Sequence, residues 1–335
     1  MAIKRKRIVE AQKIHKVNRA AAVGKLMLGE ISNWHEFLSV ETADYESLPR
    51  RQLKSGVKDI QNRLSQEIHK FCQSNFEKMD IDMLSRLYEE IKTHRGLEIT
   101  CNEFEQKYSK FRKHVLNGMP VHSTVVFCLS GMKFKFPEDY LTKDLLCSLK
   151  GIMLTKDKKD KTGEDIRSEE FYFRSSVITS FNLLEAYLNG ISWDFLYKTP
   201  PKDLSGKKRK LLEGFQGISI REKLKKYPTI ITGEYLFEDK DLDVVTLLDI
   251  MKPFRDALVH PSPFTMPEKF GGHNKSDLFY RVNRETALLV SQLTCKIIKR
   301  INSHIGADTR PVWLAELDDY MTDLKEGNKE HTVKE

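Results

Sequence analysis

Arg255 and His260, within the segment FRDALVHPSPF, are the residues of this chain best suited to chemistry. An imidazole exchanges protons near neutral pH, so it can remove the proton of a ribose 2′-hydroxyl or protonate a departing 5′-oxygen. A guanidinium can hold two phosphate oxygens and stabilise the charge that builds on them without a metal. Together they suit cleavage of an RNA phosphodiester. One histidine fills one proton-transfer role, and two copies of the chain would fill both. The competing reading is structural: Arg255 pairs with Glu185 or Asp249, and His260 caps the helix carbonyls before the turn from Pro261 to Pro263.

The helix that must carry this pair is written in Val244, Leu248, Met251, Arg255 and Leu258, which recur at three and four residues. A charged residue therefore stands in an apolar row, where an unpaired guanidinium is costly. Pro253 is expected to kink or restart the helix. Residues five apart lie about 140° apart around an ideal helix, which would turn His260 away from Arg255. Pro261 pushes the residue before it out of helical geometry, so His260 is expected to close the helix and turn back toward the same cleft.

Other helices of this half follow from similar patterns. A long one opens near Ser168, capped through Glu169 or Glu170, with the stripe Val177, Phe181, Leu184 and Leu188. Glu185 stands beside that stripe, either held by a cation or hydrogen-bond donor or as a surface glutamate. Beyond Pro200 and Pro201, the run Lys207, Lys208, Arg209 and Lys210 is a phosphate contact on one reading and a solvated surface on the other. SIREKLKKYP is a short helix ended by Pro228, and a last long helix runs from about Leu278 to His304 with Leu289, Leu293, Ile297 and Ile301. This half reads as a helical bundle. A tail with Thr309 as cap, Pro311 in the first helical position, and Trp313, Leu314, Leu317, Tyr320, Met321 and Leu324 on one side packs on its own bundle or on a partner.

The segment FRDALVHPSPF resembles the Arg-polar-x-x-x-His signature of the HEPN superfamily. SSVITSFNLLEAYLN is similar to that family's first helix, and SIREKLKKYP to the Glu-Lys-Leu segment before its signature helix. The resemblance spans about residues 168 to 305. It implies a helical bundle with Arg255 and His260 in the catalytic positions and Asp256 as the polar neighbour that positions them. Glu185 would correspond to an acidic residue of the first helix. The implied activity is that of a metal-independent, cofactor-free endoribonuclease, a toxin or defence effector with an antitoxin or regulatory protein as partner. Active members set two signatures against one RNA cleft; this chain holds one good signature, so a homodimer is implied. Non-catalytic relatives would bind RNA, nucleotide or protein without cutting. Arg63 and His69 also satisfy the loose spacing, but Leu64 follows Arg63 where the family has a polar residue.

The amino-terminal half resembles no family. Lys4, Arg5, Lys6, Arg7, Lys13, Lys16 and Arg19 alternate with Ile8, Ala11 and Ile14 as in a basic amphipathic helix. A long helix is predicted from Leu53 through Val57, Ile60, Leu64 and Ile68 to Phe71. Two shorter ones carry Leu84, Leu87 and Ile91, then Phe104, Tyr108, Phe111 and Val115 from an entry at Asn102. VVFCL, Ser130-Gly131 and MKFKF predict a hairpin near residues 124 to 136, the one strand signal. The fold class is thus mainly α. Expected divisions are 1–155, a helical regulatory or RNA- or partner-binding region; 156–167, the charged linker KDKKDKTGEDIR; 168–308, the bundle; and 309–335, the amphipathic helix and a frayed end.

Composition bounds the rest. A length of 335 residues suits two domains, and 31% charged residues with a mean hydropathy of −0.48 point to a soluble, non-membrane protein. The amino terminus lacks the apolar core of a secretory signal, so a cytoplasmic location is expected. Five scattered cysteines make no Cys-x-x-Cys pair, and the histidines at 15, 35, 69, 94 and 114 have no metal-ligand spacing. A net charge of +8 favours polyanionic partners, nucleic acid first among them. A scaffold built from the long helices is the third reading of the whole chain.

Overall fold

A computed structural model describes residues 2–42, 81–108, 120–156, 158, 160–214, 217–262, 264, 274–306 and 311–332, with six scattered positions between 52 and 66. The apolar residues of the helix expected from Leu53 to Phe71, the Arg63 and His69 pair, Phe111, Val115 and Thr309 lie outside them. The fold is mainly α with one small antiparallel sheet. The chain forms two compact units, 1–136 and 137–335.

In the first unit, α1 (Ala2–Leu28) packs on α3 (Ile81–His94), with the short α2 (Trp34–Leu38) between them in sequence. Leu26, Phe37, Leu84, Leu87, Tyr88, Ile91, Phe104 and Phe127 fill the core. The predicted hairpin is present as β2 (Thr124–Cys128) and β3 (Gly131–Lys135), with Leu129 and Ser130 forming the turn. Gly131 is needed there: its φ is +102°, and a β-carbon would come within 3.1 Å of the Met27 carbonyl oxygen. A third strand, β1 (Leu97–Thr100), was not legible, because four residues carry too little alternation and their order comes from pairing with β2. The following α4 (Cys101–Lys107) is entered from Thr100 rather than Asn102, since Thr100 and Glu103 form a capping box.

The second unit begins ahead of the charged stretch 156–167. That stretch joins two helices of one bundle: α5 (Pro137–Lys156) packs along α6 (Gly163–Lys198). Gly151 leaves room for the Tyr172 ring, from which a β-carbon would stand 2.6 Å. Helix α6 starts before Ser168 because Thr162 and Asp165 make the capping box and Lys158 and Lys161 hold Asp165 and Glu169. After α7 (Gly206–Leu212) comes α8 (Ile220–Thr232). It runs through Pro228, whose buried ring sits beside buried Tyr227, and stops at Gly233 with a φ of +85°.

The signature segment is one helical rod in three parts: α9 (Leu242–Val245), a π-helical segment (Thr246–Met251) and α10 (Lys252–Val259). Pro253 explains the middle part. It has no N–H for the Asp249 carbonyl and its ring would crowd that carbonyl in an α-turn, so the chain widens and Lys252 donates to Leu247 five residues back. Next come α11 (Lys275–Tyr280) and α12 (Arg284–His304), two helices rather than the expected one, because Asn283 caps α12 anew. In α12 Leu293, Ile297 and Ile301 are buried, while Leu289 is exposed. Buried Ser180 and Ser291 hydroxyls, 3.1 Å apart, join α6 to α12. The tail, α13 (Val312–Thr332), packs on α5 and α12 as part of the same unit, and its helix extends beyond Glu326.

The rod is fixed at its start. Asp241 accepts the Val244 N–H at 3.2 Å, and both its oxygens take the Arg300 guanidinium, at 2.6 and 3.1 Å. Arg300 also reaches Asp243 at 3.0 Å, lies over the Phe237 ring at 4.8 Å, and shares Asp243 with Lys296. The Arg300 bond holds the Asp241 carboxyl below its ordinary value of 3.8. A carboxyl lowered on folding stabilises the fold above its unfolded value and loses that contribution as pH falls through the folded one. Arg300→Ala should therefore destabilise the second unit by about 2 kcal/mol near neutrality. In thermal unfolding followed against pH, the gap to the parent should close as pH drops below 3.8.

Candidate functional site

Asp256 organises the end of the signature helix. Its Oδ1 accepts Arg255 Nη1 at 3.0 Å, its Oδ2 takes the ammonium of Lys252, and its backbone carbonyl accepts the His260 N–H at 2.9 Å. Lys252 and Asp256 are one turn apart on the same helix face, which makes the ion pair local. Two cations against one carboxylate leave one net positive charge in the cluster, a setting for an anion.

His260 leaves helical geometry, with φ −128° and ψ 64°, as the residue before Pro261 must. Its side chain is exposed, and the ring makes no hydrogen bond to a described residue. Arg255 is half-buried, its side chain 25% exposed, but its Nε is fully buried without a partner. A buried orphan N–H costs about 1–3 kcal/mol, and so asks for a reason.

Neither acid considered as a structural partner for Arg255 takes that role. Asp249 is held by Arg221 from α8. Glu185, on α6, accepts Lys223 Nζ at 2.6 Å, and that lysine side chain is only 7% exposed. One turn along α8 the Tyr227 hydroxyl is buried without a partner, and burial, then the Glu185 charge, pushes its pKa up. Arg255 and Asp256 are thus paired, with the His260 backbone held on the Asp256 carbonyl, whereas Glu185 belongs to a second polar cluster with Lys223 and Tyr227. Of the basic run on α7, Lys207, Lys208 and Lys210 are exposed and Arg209 pairs with Glu213 at 2.9 Å.

Sequence reasoning missed Lys252 and Lys223. The first was legible, since a lysine four residues before an aspartate on a helix can pair with it. The second needed the crossing of α6 and α8, which no local pattern specifies. Among the described residues no group of three His, Cys, Asp or Glu side chains gathers as a metal site requires, and no helix is long and apolar enough to cross a membrane. Comparison with family models, curated proteins and solved structures finds no match to this chain.

This ion pair, buried on the lysine side only, should respond asymmetrically. Glu185→Ala strands the Lys223 ammonium and should cost about 3 kcal/mol, whereas Lys223→Met leaves a half-exposed carboxylate that water can solvate and should cost about 1 kcal/mol. Chemical denaturation of the two variants checks the order.

Proposed function

We propose that the second unit is a HEPN-type, metal-independent endoribonuclease whose working residues are Arg255, Asp256 and His260. The observation that carries this reading is Asp256 gathering Lys252 and Arg255 at the helix end where the His260 side chain is exposed. A phosphodiester entering there would put its non-bridging oxygens on the Arg255 guanidinium, where negative charge builds during reaction. The ribose 2′-oxygen attacks phosphorus, its proton goes to an imidazole, and the 5′-oxygen leaves with a proton from an acid, closing a 2′,3′-cyclic phosphate. His260 serves one of these steps and its counterpart in a second copy serves the other, so the active form is a homodimer. The first unit and an antitoxin or other regulatory protein would control a cytoplasmic toxin or defence effector.

A second reading, a non-catalytic module that holds RNA, nucleotide or protein, is favoured by one observation: no described residue orients the His260 ring by a hydrogen bond. Incubation of the purified protein with mixed RNA in EDTA separates the two. On the ribonuclease reading the parent cuts, and Arg255→Ala and His260→Ala each lose at least about a hundredfold in rate. Asp256→Asn loses about tenfold through misplacement of Arg255. Binding without cleavage by the parent, unaffected by His260→Ala, would favour the module instead.

A further inference from the structure

We infer that the carboxy-terminal end of α6, together with α7, forms a docking surface for single-stranded nucleic acid, set apart in sequence from the Arg255 cluster. The inference deepens the ribonuclease reading and rests on it for the choice of RNA. Trp193 and Tyr197 are 50% and 40% exposed although both are large aromatics, and their spacing of four places them on one face of α6. Between Asn189 and Leu212 stand six basic side chains, Lys198, Lys202, Lys207, Lys208, Arg209 and Lys210, against two carboxylates, Asp194 and Asp203. Among the described residues only Arg209 of these six is in an ion pair. The lysines of α8 behave differently: Lys223, Lys225 and Lys226 each hold a carboxylate.

The two features are held together. Ser192, next to Trp193, is buried and donates to the Leu212 carbonyl at 2.5 Å, which fastens the end of α7 to α6. Buried Leu196 and Leu212 anchor the two helices on their inner sides. The result is a pair of exposed rings on α6, fastened one residue away to the helix that carries lysines without an ion-pair partner among the described residues. Every base offers a π-face and every nucleotide a phosphate, so this combination suits a single strand and is indifferent to its sequence. A protein partner would have to bring acidic groups for the lysines and an apolar cover for the rings, whereas a nucleic-acid strand carries both along its length.

The test uses the full-length His260→Ala protein, so that RNA is not cut, and a fluorescein-labelled single-stranded RNA of mixed sequence, with Kd measured across a salt series. Trp193→Ala should weaken binding about tenfold with the salt slope unchanged, and Trp193→Phe should retain most of the affinity. Replacing Lys207, Lys208 and Lys210 by alanine should weaken binding and lower the slope of log Kd against log salt by about two. Unchanged melting temperatures establish that the exposed replacements leave the fold intact. Variants that bind like the parent, or a parent that binds no RNA, would overturn the inference, as would lost self-association or lost capture of a protein with RNA affinity preserved. Cleavage by the wild type that ignores Trp193 would remove this surface and leave the ribonuclease reading standing. Trp193-dependent binding without cleavage would do the reverse.

Discussion

The clamp of Arg300 on Asp241 and Asp243 is the constraint on which the candidate site depends. It ties the first turn of the signature helix to α12, the helix that shares the buried serine contact with α6. A helix of this length has little stability alone and takes its position from packing and from its ends. Here one end is fixed by a bidentate arginine that also lies on Phe237, and the other is released by Pro261. The angular position of Arg255 is therefore set by the clamp and by the number of residues between it and Asp241.

That number includes the π-helical segment. Widening the turn shifts every later side chain around the axis relative to an unbroken α-helix, which is why Ala257 is the buried residue of α10 and Arg255 is left half-buried with a stranded Nε. Asp256 then does two jobs with one residue. Its carboxylate collects Lys252 and Arg255, and its carbonyl holds the backbone of His260. Positive charge is thus gathered on the helix turn that leads to the exposed His260, the arrangement on which the proposed phosphodiester chemistry rests.

Much of this was legible in the residues, and the rest failed for identifiable reasons. Apolar spacing of three and four located α3, most of α6 and the tail, and alternation about Ser130 and Gly131 located the hairpin. The mainly α class followed. Strand β1 depended on its partner, and the start of α6 was hidden because a charged stretch reads as a linker until Thr162 and Asp165 are recognised as a capping box. Pro228 looked like an end and is an interior residue of a helix stopped by Gly233. At the candidate site, the adjacency of Arg255 and Asp256 and the turn of the chain at His260 before Pro261 were readable in the sequence. The assignment of Glu185 to Lys223 and of Asp249 to Arg221 was not, since both join residues on different helices.

The chemistry of the cluster is tested most directly by the end groups left on RNA by the wild-type protein in EDTA. Attack by the 2′-oxygen predicts 2′,3′-cyclic phosphate and 5′-hydroxyl ends, with no cut at a linkage carrying a 2′-deoxyribose. Ends bearing a 5′-phosphate, or cutting that persists at the deoxyribose, would contradict the account.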